Sequence, residues 1–340
     1  MPARQHLMKN KTLLAFVFLA INGGLNFASA QTSPAMMKAV VAHQFGGPEV
    51  LKYEDAPRPQ PKENEVLVRV IAAGVNPVDT YVRSGKFGAP TLPLIPGRDI
   101  AGIVEEIGPG ATKFKKGDAV YGNVNNGGYA EFAVAAEKNI ALKPAALDFV
   151  QAAAVPVAAR TAWNALIETA HLSAGQTVLI QGGSGGVGSF AIQIAKIRGA
   201  KVFATASTAN QDFLKQLGAD VAIDYTKQKF EDVVKDVDVL LEAVRGMLDR
   251  DYAVVKKGGY LVSIVGPADE AKAKEAGIQA PPLANSGSVL LELNKLFDAK
   301  KLKVFVTQTL PLSEAIKAHE QAGTLHTRGK IVLKVADEKK

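Results

Sequence analysis

The 340-residue chain has no cysteine and a single tryptophan, and only 6% of its residues are aromatic. The missing cysteine excludes structural disulfides, zinc knuckles, thiolate-held metals and cysteine nucleophiles together. It leaves the compartment open. A one-signed charge stripe is lacking too: the formal charge is +7, but the basic residues are interleaved with acids rather than clustered along a phosphate-tracking face. No nucleic-acid partner is expected. The apolar run Leu13 to Ile21 is about half the roughly 20 residues of a spanning helix, so no membrane anchor is expected either. What is present is a globular composition, 47% hydrophobic and 21% charged, in a chain longer than a typical domain of about 50–250 residues. Two domains are the working number.

Residues 1–30 carry the three parts of a secretory signal in order: Lys9 and Lys11, the apolar run, then Ala28-Ser29-Ala30 before Gln31. Export to a periplasmic or extracellular location follows if that signal is used. Its removal takes away Arg4, Lys9 and Lys11 and leaves 37 basic against 33 acidic residues, a net +4. A start at Met36 or Met37, directly before the strand-like run Lys38 to Ala42, makes a cytoplasmic product that keeps the whole fold.

From Met37 to about Ile140, short β-branched runs (Val66 to Ile71, Ile100 to Ile107, Asp118 to Tyr121) are broken by Gly and Pro, the rhythm of a strand-rich domain. From about Thr161 the rhythm becomes strand, helix, strand: Thr177 to Gln181, Val187 to Arg198, Lys201 to Ala206. It repeats through Asn210 to Leu217 (helix), Val221 to Tyr225 (strand), Phe230 to Lys235 (helix), Val237 to Leu241 and Tyr260 to Val265 (strands). This alternation predicts a parallel sheet with helices on both faces. Ser286 to Phe297 reads as helix, Val304 to Thr309 as strand, Leu312 to Gln321 as helix and Ile331 to Val335 as a last strand.

After the apolar strand Val178-Leu179-Ile180 comes Gly182-Gly183-Ser184-Gly185-Gly186-Val187-Gly188, in which Gly183, Gly185 and Gly188 fit the spacing GxGxxG. Such a turn lets backbone approach a pyrophosphate closely, while the next helix offers unpaired N–H groups and a partial positive charge. Its place between strand and helix, opening a βαβ series, is the context a dinucleotide site requires. Gly183, Ser184, Gly185, Gly186, Val187 and Gly188 are therefore the cofactor candidates at the turn. An acid about 20 residues beyond the glycines would select NAD. Here the second strand ends Thr205-Ala206-Ser207-Thr208-Ala209-Asn210, with no carboxylate until Asp212. An uncharged end accepts a 2′-phosphate without like-charge repulsion, so NADPH is favoured and NADH stays possible.

From Met37 to Val335 the chain resembles the medium-chain dehydrogenase/reductase superfamily, in its zinc-free quinone oxidoreductase (NADPH:quinone reductase-like) branch. The likeness is carried by Gly74-Val75-Asn76-Pro77-Val78-Asp79-Thr80-Tyr81, Pro96-Gly97-Arg98-Asp99-Ile100-Ala101-Gly102, Ala154-Val155-Pro156 with Thr161-Ala162-Trp163, the glycine turn, and Arg328-Gly329-Lys330-Ile331-Val332-Leu333. The resemblance implies an α/β fold: a GroES-like strand-rich catalytic domain in two pieces, 37–155 and 303–336, with a Rossmann domain of doubly wound parallel sheet, 156–302, between them. It also implies an active-site cleft between the two domains, and a homodimer. In the superfamily's alcohol dehydrogenases the catalytic zinc is held by Cys where Asn76 stands and His where Arg98 stands. A carboxamide and a guanidinium are not zinc ligands, and the structural zinc lobe needs four cysteines, so no zinc is expected. Without that Lewis acid the fitting substrates are already activated acceptors, quinones or α,β-unsaturated carbonyls (enones).

By the same resemblance Asn76 is the orienting hydrogen-bond donor and Tyr81 a polar contact or proton donor; for Tyr81 a half-buried packing role weighs equally. Thr161 is a nicotinamide contact or a helix cap. Ser207, Asn210 and Tyr225 line the 2′-phosphate pocket, Gly266 belongs to the nicotinamide wall, and Arg328 and Lys330 reach the cofactor or are solvated. Asp79 reads first as a turn-capping aspartate after Pro77. Arg98 and Asp99, at the former metal position, read as an internal ion pair or as substrate contacts. His43, His171, His319 and His326 read as surface residues. The leading function is an NADPH-dependent reductase of quinones or enones. An enoyl-thioester reductase and a non-catalytic NADPH-binding sensor or interaction protein are the alternatives.

Overall fold

The computed structural model describes residues 35–88, 90–286 and 289–338. The predicted signal segment lies outside the described residues. A hairpin of β1 (Met36–Ala42) and β2 (Leu51–Pro57) opens the described chain. It is followed by the long strand β3 (Glu65–Val75), α1 (Pro77–Arg83), β4 (Asp99–Ile107), β5 (Ala119–Asn123), β6 (Phe132–Ala136) and β7 (Ile140–Leu142). Helices α2 (Phe149–Ala153) and α3 (Pro156–Trp163) lead into a second pattern: β8 (Thr177–Ile180), α4 (Gly186–Ile197), β9 (Lys201–Ala206), α5 (Gln211–Leu217), β10 (Val221–Asp224) and α6 (Phe230–Val233). It continues with β11 (Val237–Glu242), α7 (Leu248–Asp251), β12 (Val255–Ser263), α8 (Glu270–Ala276) and α9 (Val289–Asp298). The chain then returns as β13 (Val306–Pro311), α10 (Ala315–Gly323) and β14 (Lys330–Lys334).

These strands form a GroES-like strand-rich unit and a Rossmann-like parallel unit. In the first, a seven-stranded sheet runs β13-β14-β3-β4-β5-β7, with β6 on β3. β3 is the hinge of this sheet: β6 pairs its first half and the returning β14 pairs Ala72 to Val75. In the second, all pairings are parallel and the order is β10-β9-β8-β11-β12. The chain winds outward from β8 through β9 to β10, then crosses to β11 on the other side. The order reverses at β8, so the ligand crevice of such a sheet opens beyond the C-terminal end of that strand.

β8 is a four-residue run, Thr-Val-Leu-Ile, buried on both faces, as a central parallel strand demands. One apolar cluster passes from Ile71, Ala72 and Ala101 of the strand-rich sheet through Ala152 to Ala162 on α2 and α3 to Ile180, Phe190 and Ala191 beneath the parallel sheet. Small side chains on α3 let it approach α4 closely. The Tyr121 hydroxyl of β5 adds a polar tie by donating to Asn294 Oδ1 of α9 at 2.6 Å. No helix among the described residues is long and apolar enough to cross a membrane.

Most strand and helix positions match the sequence pattern within a few residues, with one larger difference. β12 begins at Val255 rather than Tyr260. Val255 pairs Val237 and Tyr260 pairs Val239, so the four residues between them bulge out of the β11 pairing, and Gly258 and Gly259 bond instead to Gly277 and Gln279.

Candidate active site and cofactor crevice

The glycine turn sits at the topological switch point. Its first residues are fixed to β9, with Gly182 N donating to Thr205 Oγ1 (3.2 Å) and Gly183 N to Thr205 O (2.8 Å). α4 starts at Gly186 behind Gly185, whose lack of a side chain leaves the first-turn N–H groups uncapped by any side chain. Those groups and the helix dipole suit an anion. Gly188 is required sterically: a Cβ there would lie 2.3 Å from the carbonyl oxygen of Gly182. Gly183 and Gly188 are buried packing positions, whereas Ser184, Gly185, Gly186 and Val187 are half-exposed and form the open backbone of the turn.

The structure places Ser207, Asn210 and Tyr225, the residues expected at a 2′-phosphate, around the ends of β9 and β10. Asn210 Nδ2 donates to Ser207 Oγ (3.2 Å) and Tyr225 N to Ala206 O (3.3 Å). The reading of β9 alone found no acid here; the fold brings one in from β10. The Asp224 carboxylate accepts from Thr208 Oγ1 (2.6 Å), Thr226 Oγ1 (2.7 Å) and Thr226 N (3.0 Å). The hydrogen bonds from Thr208 and then Thr226 hold its pKa below the ordinary carboxylate value. The Arg328 guanidinium lies 4.1 Å over the Phe213 ring of α5. Gly266 is exposed beyond β12, and a Cβ built there meets nothing within 4 Å.

The opposite wall is the start of α1. Asn76 precedes the helix, and Asp79 closes its first turn by accepting from Asn76 N (2.9 Å), the capping role expected of it. Three corrections follow. Arg98 is not the partner of Asp99: its cation is Lys330, with Nζ 3.9 Å from Asp99 Oδ2. Lys330 is not solvated but buried, donating to Val75 O (3.0 Å) and to Asn76 Oδ1. Thr161 cannot cap α3, because it lies in the last turn of that helix, not before it.

Asn76 Nδ2 donates to Asp99 Oδ2 (2.9 Å), so the carboxamide is gripped at both ends and keeps one N–H. Asp99 also accepts from Asn123 Nδ2 (2.7 Å) and from Val157 N (3.0 Å) at the head of α3. Burial pushes Asp99 up to about 6 against the pull of Lys330, and lowers Lys330 itself. Burial, then the neighbouring Asp99, pushes Asp79 up to about 7.

A fourth correction concerns His319, which is buried rather than on the surface. Tyr129 Oη donates to Asp79 Oδ2 (3.2 Å) and therefore accepts at 3.3 Å from His319 Nε2. Arg83 Nη1 donates to His319 Nδ1 at 3.1 Å. That order fixes a neutral imidazole with its proton on Nε2. Burial, then the Arg83 charge, depresses its pKa to about 3. No sequence signal pointed to this chain of groups, because Arg83 and His319 are far apart in the chain. Tyr81 is half-buried on α1, and the guanidinium of Arg245, from the loop after β11, sits 5.5 Å from its ring centroid. Arg245 escaped the sequence reading as one exposed basic residue among many.

The returning segment joins the two walls. Gly329 N donates to Ser184 O (2.8 Å) in the glycine turn. A Cβ on Gly186 would lie 2.9 Å from Lys330 Cδ, so the lysine stem runs against the start of α4. Within two residues the chain touches the glycine turn and the buried carboxamide.

Comparison with known proteins matches the GroES-like domain of alcohol dehydrogenases to residues 62–145 and zinc-binding dehydrogenases to residues 217–333. The chain is 39% identical to the NADPH-dependent alkenal/one oxidoreductase, chloroplastic, of Arabidopsis thaliana, over 93% of this chain and 86% of that protein. It is 37% identical to the quinone oxidoreductase of Homo sapiens, over 85% of this chain and 94% of that protein. Among solved structures, the quinone oxidoreductase from Coxiella burnetii is 36% identical and superposes with a TM-score of 0.84, covering 89% of this chain and 100% of that one.

Proposed function

This chain belongs to the medium-chain dehydrogenase/reductase superfamily, and we propose that within it the protein is an NADPH-dependent reductase of quinones and α,β-unsaturated carbonyls that works without zinc. One observation carries the reading: the segment Arg328-Gly329-Lys330 bonds both the glycine turn, through Ser184, and the Asn76 carboxamide. A dinucleotide whose phosphates were held on that turn would have its anchor and the wall formed by α1 joined by this one segment. The names of the relatives support NADPH and quinone or enone acceptors.

The residues present fit the cofactor, because the turn is closed by a glycine whose Cβ would strike backbone and its helix start has no side-chain cap. They do not fit a catalytic zinc. Asn76 is bonded to a buried ammonium, and a cation already lies beside Asp99. When bound, NADPH supplies the hydride. The backbone of Ser184 to Val187 would hold its phosphates, Ser207, Asn210 and Tyr225 would receive the 2′-phosphate, and Arg328 and Gly266 would border the crevice. Lys330 and Asp99 hold the Asn76 carboxamide in one orientation, so its free N–H keeps a fixed direction. The Tyr81 hydroxyl and the Arg245 guanidinium offer donors to an acceptor oxygen that gains charge. Thr161 flanks the nicotinamide end. The division into 37–155 with 303–336 and 156–302, the homodimer, and export through residues 1–30 are part of the same proposal.

The test is reduced-nicotinamide absorbance with the purified full chain, NADPH or NADH, and a panel of ortho- and para-quinones and short enones. Oxidation of NADPH in preference to NADH is the expected result. Tight NADPH binding with no turnover on any acceptor overturns the reductase reading.

A further inference from the structure

Parallel strands end in carbonyls and side chains that the next strand no longer covers. At the paired ends of β9 and β10, where Ala206 stands opposite Asp224, two side chains do this work. Gln211 Nε2 donates to Ala206 O (2.9 Å), Ser207 O (3.2 Å) and Ile223 O (3.3 Å). Asp224 collects the Thr208 hydroxyl from the loop after β9, and the Thr226 hydroxyl and amide from the loop after β10. Its side chain is 10% exposed, with Lys227 Nζ 3.7 Å away. The loops thus tied carry Ser207 and Asn210 on one side and Tyr225 on the other.

A carboxylate in this neighbourhood ordinarily selects NAD by accepting from the ribose 2′-hydroxyl. A carboxylate offers about four acceptor positions; three donors take up three of those of Asp224, and the Lys227 ammonium lies 3.7 Å from the oxygen that has only one donor. It is held by the protein rather than offered to a ribose. We propose that Asp224 is a positioning residue for cofactor selectivity: by clamping the Thr208 and Thr226 loops it sets the spacing of Ser207, Asn210 and Tyr225 around a 2′-phosphate. The inference rests on the NADPH reading and deepens it.

Charge alone gives the opposite sign. Removing a carboxylate near a dianionic phosphate should tighten NADPH binding, whereas removing a clamp should loosen it. Asp224→Ala and the double variant Thr208→Val/Thr226→Val, which keeps the carboxylate and deletes the two hydroxyl donors, are compared with the unaltered full chain. Steady-state rates are taken with NADPH and NADH against one para-quinone. In both variants KM for NADPH rises about tenfold, the scale of lost charge-assisted hydrogen bonds. KM for NADH changes less, and kcat and KM for the quinone hold. General loosening of the fold would instead move kcat and both quinone and cofactor KM values. An unchanged or lower KM for NADPH overturns the clamp. An unaltered chain that uses NADPH and NADH equally overturns the cofactor reading and the clamp with it, whereas a preference for NADPH that survives both variants overturns the clamp alone.

Discussion

Asp79 and Asp99 in the strand-rich unit, and Glu242 and Asp251 in the parallel-sheet unit, are all fully buried, yet the two pairs are accommodated by different means. Lys330 faces the first pair, and donors surround it: Asn76, Asn123, Tyr129 and the amides of Asn76 and Val157. Only Asp79 Oδ1 there lacks a hydrogen-bond partner. The second pair has one good donor, Gln181 Nε2 on Asp251 Oδ1. Both Glu242 oxygens, Asp251 Oδ2 and Gln181 Oε1 lack partners of normal geometry. Ser263, Met247 N and Arg245 pull Glu242 downward, and Arg250 does the same for Asp251 against Glu231, but burial dominates both. Asp251 is pushed up to about 7, by burial first and by Glu242 second. The contrast is sharpest between Asp99, which meets Lys330 and three donors and is raised only to about 6, and Asp251, which meets one donor and is raised to about 7; Asp79, with one oxygen unpartnered, rises as far as Asp251.

Lys330→Met breaks the contrast most. It leaves two buried carboxylates without their cation, and stability falls by about 3–5 kcal/mol in urea denaturation at pH 8. The loss shrinks toward pH 5, because protonation relieves carboxylates whose folded-state pKa values are raised. Reductase turnover falls with it, since Asn76 loses one of its two anchors.

Asp251→Asn sharpens the contrast from the other side. A carboxyl raised to about 7 when folded and ordinary when unfolded contributes stability below about pH 4 and loses it as pH climbs through 7. The variant therefore gains on the order of 2 kcal/mol over the unaltered chain at pH 8 and little at pH 4. Melting curves across that range read the crossing directly.

Tyr129→Phe has the smallest effect, about 1–2 kcal/mol, by leaving His319 Nε2–H without its acceptor and Asp79 with one donor fewer. In the unaltered chain the His319 ring nitrogens stay in the neutral, Nε2-protonated pattern down to about pH 4 in nitrogen-resolved NMR, as its depressed pKa requires.

How much was legible depended on distance along the chain. The glycine turn, α4 and β9 were readable because a strand, a Gly-rich turn and a helix follow one another within 30 residues and each has a local period. Asp79 was readable as a cap because its partner is three residues away. Lys330 and Asn76, by contrast, are 254 positions apart, and Arg83 and His319 are 236. Periodicity says nothing about such pairs, which is why Lys330 was open between cofactor and solvent and His319 was placed on the surface. Asp224 was missed for a subtler reason. The rule for the acidic selector inspects the strand after the glycines, and this acid enters from the next one.

The sequence by itself determined the order of a strand-rich unit and a parallel βαβ unit, the place of the glycine turn and the cap that starts α1, because each rests on contacts between near neighbours. Only the tertiary structure decided which buried charges meet. It brought Lys330 under Asn76, turned His319 inward and set Asp224 between two loops, since those meetings depend on how β14 pairs with β3 and β10 with β9 across long stretches of intervening chain.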